Sequence, residues 1–431
     1  MTHKGRIFAD RAIAVPLAFL FNGLARLLGW LLRRDHSVSP ENVNVIIVGK
    51  LIGMGSILQS TPLLRALKQR YPGAKLIFVS LKSNRDLLDR LQDIDEVLLL
   101  DDSSLMRMAA STLRSIMTMV RARADVYLDL EVYSAFASLL ALCAITRNRV
   151  GFYRHSTSFK KGIYTHLVYF NPRMSIRKLY LQLGRVSGID SGQSEITGPI
   201  RIDATDRVSL PAILSKMPGW HPEKSYVVVN PNASDLLLER RWPTERVTAA
   251  ISELIRSGNQ VVLIGAPSER PFVRGIYELL PTEVRSSVTN TVGLLSFGEL
   301  LALLDEAACV LTNDTGPMHI SIALERPTVC LFGPASPKHY GQELPHVEIF
   351  YSEVFCSPCC HEADEPPCNG NNICMQRIDP HLVVQAVNRF VRPGCMCAKK
   401  TSGWQERDDF PVLSDAPDGT PLGVVVRASL R

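Results

Sequence analysis

A chain of 431 residues with 46% hydrophobic side chains is long enough to bury two separate cores. Its 48 basic and 42 acidic residues leave a formal charge of +6, too mild for a dedicated nucleic-acid binder, and no nucleic-acid partner is expected. Ten cysteines over this length exclude a small disulfide scaffold, and Cys143, Cys309 and Cys330 sit in apolar runs where a thiol acts as a small hydrophobe. With no cleavable leader pattern at the start, a reducing, cytoplasmic setting is expected.

Residues 1–40 form the first segment. Ala12 to Leu32 reads AIAVPLAFLFNGLARLLGWLL, apolar except for Asn22 and Arg26, with Lys4, Arg6, Arg11, Arg33 and Arg34 around it. The run is nearly long enough to cross a bilayer. Arg26, the interruptions at Pro16 and Gly23, and basic residues on both flanks point instead to a helix lying in the inner-membrane surface. A span and a helix packed on the protein body are the two alternatives.

From Val43 short apolar runs alternate with helical patterns. VNVIIVG is a strand, the segment from Ser56 to Tyr71 a helix, KLIFVS a strand, SNRDLLDRL a helix, and EVLLLD a strand. A long helix follows from Leu105 to Arg123, then strand DVYLDL and helix YSAFASLLALCAI. Continuous apolar strands between helices indicate a parallel sheet covered on both faces, here a doubly wound domain over 41–204. Irregular stretches, SGQSEITGP and KMPGWHPEK, precede a restart. YVVVNP, QVVLIGA, CVLTND and PTVCLFG then alternate with helical segments to build a second doubly wound domain over 205–397. Ligands in such folds bind at the carboxyl ends of the strands. Residues 398–431 lack periodicity and are rich in turn formers, as in a disordered tail.

Two stretches carry the strongest ligand signals. CVLTNDTGPMHISIAL is a strand that ends in Asn313-Asp314, with Thr315 placed to cap the helix opened by Gly316-Pro317. A helix start offers N–H groups and partial positive charge to a diphosphate. NPNASDLLLERRWPTE places Asn232 in a polar loop after a strand and Arg240-Arg241 before Trp242-Pro243, where guanidinium can neutralise phosphate.

The run NDTGPMHISIAL, followed two residues later by PTVCLFGPASP, resembles the signature of glycosyltransferase family 9, the bacterial ADP-heptose:lipopolysaccharide heptosyltransferases. The resemblance is specific over some thirty residues and weaker from about Val43 to Asn388. It implies the α/β GT-B fold and inverting transfer of a heptose from a nucleotide diphosphate sugar to a lipid-linked saccharide, with no cofactor and no obligatory metal. By position it implies that Thr315 and Gly316 give backbone donors to the diphosphate and Asp314 meets the sugar hydroxyls. His319 would sit nearby, Arg240 would contact phosphate, and Glu269 would take the ribose. Another sugar donor, or an inactive relative that only binds sugar nucleotide or glycan, are the competing readings.

The glycine loop GKLIGMGSILQSTP aligns with the family's acceptor-side loop, with Gly53 and Gly55 allowing close backbone approach. The family usually has Asp, its presumed base, where this chain has Ser56. A neutral serine cannot take the acceptor's proton unaided. The replacement expected from the sequence is Glu131 at a strand exit, with Asp129 second and helix capping by Glu131 as the bland alternative. Cys356, Cys359, Cys360, His361, Cys368 and Cys374 form a cysteine-rich stretch compatible with a structural zinc, with disulfides or with unmodified thiols.

Overall fold

The computed structural model describes residues 5, 9–32, 36, 43–190, 192–233, 237–360, 362–363, 366–392 and 424–426. The chain divides into two compact units, with the boundary between Thr197 and Gly198 rather than at 204/205. Gly198 already packs against the Ala323 carbonyl of the second unit, ahead of the helix Ala204–Leu214, which is bound to the helix Phe297–Glu306 through Ser209 on Glu299 at 2.9 Å and Arg207 on Asp305 at 2.6 Å.

In the first unit β1 (Val45–Gly49), β2 (Lys75–Leu81), β3 (Glu96–Leu100), β4 (Val126–Asp129), β5 (Asn148–Tyr153) and β6 (His166–Tyr169) pair in parallel in the order β6-β5-β4-β1-β2-β3. In the second, β7 (Tyr226–Asn230), β8 (Gln260–Leu263), β9 (Val288–Asn290), β10 (Cys309–Asn313), β11 (Thr328–Phe332) and β12 (Val347–Tyr351) follow the order β12-β11-β10-β7-β8-β9. Each is a doubly wound, Rossmann-type α/β sheet. Strand order reverses between β1 and β4 in one unit and between β7 and β10 in the other, and ligands collect at such reversals. The central strands are buried end to end because they carry Val, Ile and Leu on both faces. The expected tail lies outside the described residues except for β13 (Val424–Val426), which pairs antiparallel with β6.

The helix expected from Ser56 to Tyr71 is two: Met54–Leu58 and Thr61–Arg70. Pro62 has no N–H to continue the ladder, and the hydroxyls of Ser60 and Thr61 donate instead to the carbonyls of Ile57 and Leu58, each at 2.7 Å.

The N-terminal hydrophobic run forms the helix Val15–Leu32, which packs on the first unit. Asp10 ahead of it accepts from the N–H groups of Ala135 and Phe136 at 3.0 and 2.8 Å, so it caps the helix Ala135–Cys143 together with Ser134. Ala14, Ala18 and Asn22 face inward; Asn22 Nδ2 donates to the Phe159 carbonyl at 3.0 Å, and a Cβ on Gly162 would collide with Asn22 Oδ1. Ile13, Leu17, Leu20, Leu24, Leu27 and Leu31 form the outward ridge. Among the described residues no helix is long and apolar enough to cross a membrane.

Candidate active site

At the β7/β10 reversal the strand ends are tied by amides. Asn230 Nδ2 donates to the hydroxyls of Thr312 and Thr315 at 3.1 and 2.9 Å, and Asn313 Nδ2 donates to the carbonyls of Pro231 and Asn232, both at 3.0 Å. Asn232 is anchored through Nδ2 on the Ile264 carbonyl at 3.1 Å, and its buried Oδ1 has no hydrogen-bond partner among the described residues. Pro231 and Asn232, directly after β7, are therefore tied to the end of β10. Both Asn230 and Asn313 stand inside the stretches quoted from the sequence, but neither was given a role there; their only signal is an amide at each strand exit.

Thr315 occupies the N-cap position of the helix Gly316–Ala323, but its hydroxyl is turned back to Asn230 and donates to the Asn313 carbonyl at 3.2 Å. It makes no side-chain cap, contrary to the sequence expectation, because the Asn230 amide captures the oxygen. The first turn of that helix is left without a side-chain acceptor from Thr315, which suits an anion. Asp314 is buried beside it. Arg240 Nη1 donates to the Asp314 carbonyl at 3.0 Å and stands 3.5 Å from Oδ2; His319 Nε2 lies 3.8 Å from Oδ1. Burial raises the Asp314 carboxyl above its ordinary range, and the attraction of Arg240 only partly opposes this. So Asp314, Thr315, Gly316, His319 and Arg240 come together as expected.

Arg241 separates from them: its guanidinium stacks over the Phe272 ring, 3.9 Å from the centroid. Glu269 turns its carboxylate onto the Ala266 N–H at 2.7 Å, at the start of the next helix. The turn Leu238–Arg240 is fixed from outside by Asn372, whose Nδ2 donates to the carbonyls of Glu239 and Arg241 at 2.9 and 2.8 Å. Asn372 belongs to the cysteine-rich stretch, for which the sequence leaves a structural metal, disulfides and unmodified thiols open.

Among the described residues no group of three His, Cys, Asp or Glu side chains is arranged to hold a metal, and Cys356, Cys359, Cys360, Cys368 and Cys374 are all outside disulfides. His361 lies outside the described residues. Cys374 is buried against Gly333, and Cys360, its thiol pushed up to about 12 by burial, lies within electrostatic reach of Arg240 and Asp314. Through Asn372 this stretch backs the turn that carries Arg240. The N–H groups of Cys359 and Cys360 donate to the Pro334 carbonyl at 3.0 and 2.9 Å, which seats it on the end of β11.

At the β1/β4 reversal the glycine loop meets a buried charge cluster. Gly53 has φ +96°, a conformation that favours glycine; Gly55 lies inside the helix Met54–Leu58 instead. Ser56 shares a hydrogen bond with the Tyr180 phenol. Glu131 does not cap the helix that follows. Its Oε1 accepts from the N–H groups of Leu51 and Ile52 at 2.9 and 3.0 Å, and its Oε2 pairs with Lys50 Nζ at 2.9 Å. Burial pushes this carboxyl up, but Lys50 and the two N–H groups outweigh burial and hold it below the usual carboxylate range.

Asp129 is completely buried. It accepts from the Tyr164 hydroxyl, from Glu131 N at 3.0 Å and from Lys160 Nζ at 3.3 Å, and Lys160 also donates to the Glu131 carbonyl at 2.6 Å. Burial raises the Asp129 carboxyl and lowers the Lys160 ammonium, each pushed toward its neutral form. Lys50 was quoted only as part of the glycine loop and given no role, and Lys160 and Tyr164 fall in no recognisable motif.

The family model for glycosyltransferase family 9 (heptosyltransferase) matches residues 113–368. A lipooligosaccharide heptosyltransferase 2 from Haemophilus influenzae is 35% identical over 100 residues, 23% of this chain and 29% of that protein; the similarity thus spans under a third of that relative. A lipopolysaccharide heptosyltransferase 3 from Escherichia coli is 24% identical over 320 residues, 72% of this chain and 89% of the other. Among solved structures, a glycosyl transferase family 9 protein from Veillonella parvula matches with TM-score 0.68 at 20% identity, over 82% of this chain and 99% of that one. Escherichia coli ADP-heptose lps heptosyltransferase II matches with TM-score 0.66 at 20% identity, over 81% and 98%. At these identities the structural matches speak to the fold, which is that of the GT-B class. With its two Rossmann-type units and a family match over more than half its length, the chain belongs to glycosyltransferase family 9.

Proposed function

We propose that this protein transfers a heptose, or a closely related sugar, from a nucleotide diphosphate donor to a lipopolysaccharide core or other lipid-linked saccharide, with inversion at the anomeric carbon. The observation that carries the proposal is the convergence of Arg240, Asp314 and the start of the helix Gly316–Ala323 at the β7/β10 reversal. Support comes from relatives named as heptosyltransferases and from an Escherichia coli heptosyltransferase structure with ADP.

In this reading the first-turn N–H groups and Arg240 hold the diphosphate and offset the charge that builds on it as the sugar leaves. Such preorganised donors act only if they need not move, and the Asn372 and Asn313 clamps provide that rigidity. Asp314 accepts from the sugar's hydroxyls, with His319 beside it. Glu269 takes the ribose hydroxyls, at the cost of loosening its bond to Ala266. Arg241, stacked on Phe272, shapes the turn from behind.

For the acceptor we assign the proton-accepting role to Glu131. Lys50 keeps its carboxylate ionised at neutral pH, and one lone pair of Oε2 stays available beyond the three donors. Asp129, with no exposure and three donors on it, serves as a positioning group for Glu131 and Lys160. The glycine loop with Gly53, Gly55 and Ser56 shapes the acceptor pocket. The reading of the chain as an inactive binder rests on Ser56 and is separated by turnover of donor with purified protein.

The helix Val15–Leu32 then lies on the cytoplasmic face of the inner membrane, its outward leucine ridge in the lipid, near a lipid-anchored acceptor. Mass spectrometry of the lipopolysaccharide from a strain lacking the gene tests the whole proposal. A core short of one heptose is expected; an unchanged core would sink it. Loss of a different residue from the core would keep the transferase and replace the donor.

A further inference from the structure

The helix Leu105–Ala122 crosses the same side of the first sheet as the N-terminal helix: both pack against the helix Ala135–Cys143 between them, and Ala14, Ala18, Met119, Ala137 and Leu140 join one core. Its inner face is ordinary, with Ser115 and Met119 buried. Its outer face is not. Met106, Leu113 and Val120 recur every seven residues and are exposed, Met106 by 85% and Leu113 by 59%, with Met117 alongside. Next to that stripe Arg107, Arg114 and Arg121 recur at the same spacing and are also exposed.

A helix whose outer face is merely solvated carries mixed charges, often as Glu–Lys pairs one turn apart. Residues 103–124 contain no acidic residue at all, residues 15–32 contain none, and the helix Ala135–Cys143 has no charged residue. The two outer helices therefore present apolar faces whose charges are arginines, with an uncharged, mostly buried helix between them. Exposed apolar side chains grouped in a stripe beside charges of one sign mark a contact surface. Long arginine stems beside methionine and leucine match the boundary between lipid phosphate and acyl chain.

We infer that Leu105–Ala122 is a second membrane-contact element, which with Val15–Leu32 turns one whole side of the first unit toward an anionic bilayer. The inference rests on the membrane-surface reading of the N-terminal helix and extends it to a part of the chain with no hydrophobic run of spanning length. Two helices, rather than one, fix the rotation of the unit on the lipid surface. That sets the strand ends of the first sheet at a constant angle to the membrane.

The test is flotation of the full chain with vesicles containing phosphatidylglycerol, and with phosphatidylcholine vesicles as the neutral control. Each arginine near an anionic surface contributes about fivefold in partitioning, so Arg114→Gln with Arg121→Gln should weaken binding to phosphatidylglycerol vesicles about 30-fold. Binding to neutral vesicles should change little. Both positions are exposed, and an unchanged melting curve confirms that the fold is intact. As an independent readout, Leu113→Trp should show, relative to the unaltered protein, an added fluorescence that shifts to the blue on vesicle addition. Undiminished binding by the arginine variant, together with an unshifted emission from Leu113→Trp, would overturn the inference. A change in oligomeric state with vesicle binding intact would also overturn it, making this face a contact between copies. The underlying membrane reading has its own arm: Leu20→Glu with Leu27→Glu should abolish flotation even if the arginine variant is normal.

Discussion

Glu131 is either the group that takes the acceptor's proton or only a clasp on the glycine loop, and one pair of substitutions separates the two. In Glu131→Gln the amide oxygen still accepts from Leu51 and Ile52, but the ion pair to Lys50 is lost. The two side chains are only 10% and 12% exposed, so Lys50 is left as a poorly solvated charge. Breaking one side of such a pair costs about 3 kcal/mol, which for a unit of this size lowers the melting temperature by roughly 6–12 °C. Adding Lys50→Met removes the stranded ammonium and should recover most of that loss. Loss of a general base lowers kcat by about 100-fold to 10,000-fold, and no amount of restored stability returns it.

The expected pattern is therefore a single variant that is unstable and inactive and a double variant that is stable and inactive. Turnover is followed as nucleotide release in the presence of acceptor, at a temperature where all forms are folded. Recovery of kcat in the double variant to within about threefold of the unaltered protein would refute the assignment, since a base cannot be restored by deleting a lysine. The pH dependence carries a second check. The Glu131 carboxyl is held below its unfolded range, so its stabilising contribution is complete above the unfolded value of about 4.3 and disappears as pH falls through the lower folded value. Glu131→Gln should flatten that acid limb of the stability curve.

On the donor side, Arg240→Ala should weaken donor binding and lower kcat/KM by about 100-fold, while Arg240→Lys retains part of it; equal kcat/KM in all three proteins would remove Arg240 from the phosphate site. Asn372→Ala frees two carbonyls of the turn that carries Arg240. A rise in donor KM of about tenfold, seen by steady-state kinetics without loss of fold, is expected. Gly162→Ala forces a methyl into Asn22 and should undock the N-terminal helix, read as faster proteolysis within residues 15–32 with the rest of the first unit intact.

The alternation of apolar strands with helices was plain in the sequence because central parallel strands are buried on both faces. β5 and β6 were harder to see: Arg149 and Gly151 break the apolar run of β5, and β6 is only His166–Tyr169. β9 and β12 are likewise short or half-exposed. The cluster at the β7/β10 reversal, to which we assign the donor, was legible as a group because Asp314, Thr315, Gly316 and His319 are contiguous or nearly so and Arg240 lies two residues before a Trp-Pro pair. What contiguity cannot convey is a bond between distant segments. Asn372 lies 131 residues from Arg241, whose carbonyl it holds, and Lys160 lies 31 residues from Asp129. Thr315 shows the opposite failure, a local capping rule overridden by a neighbouring strand's asparagine. The glycine loop contains Gly53 at positive φ, but Glu131, expected as a strand-exit base or as a cap on the next helix, is bonded to that loop's own N–H groups.

The most direct test of the central claim is a transfer assay with purified full-length protein, ADP-heptose and a lipopolysaccharide acceptor lacking its outer heptose, with nucleotide release and product linkage both measured. The account predicts acceptor-dependent release of ADP and a new glycosidic bond of opposite anomeric configuration to the donor. Binding of ADP-heptose with neither release nor a new linkage, across acceptors of different core length, would contradict it and leave a sugar-nucleotide binder.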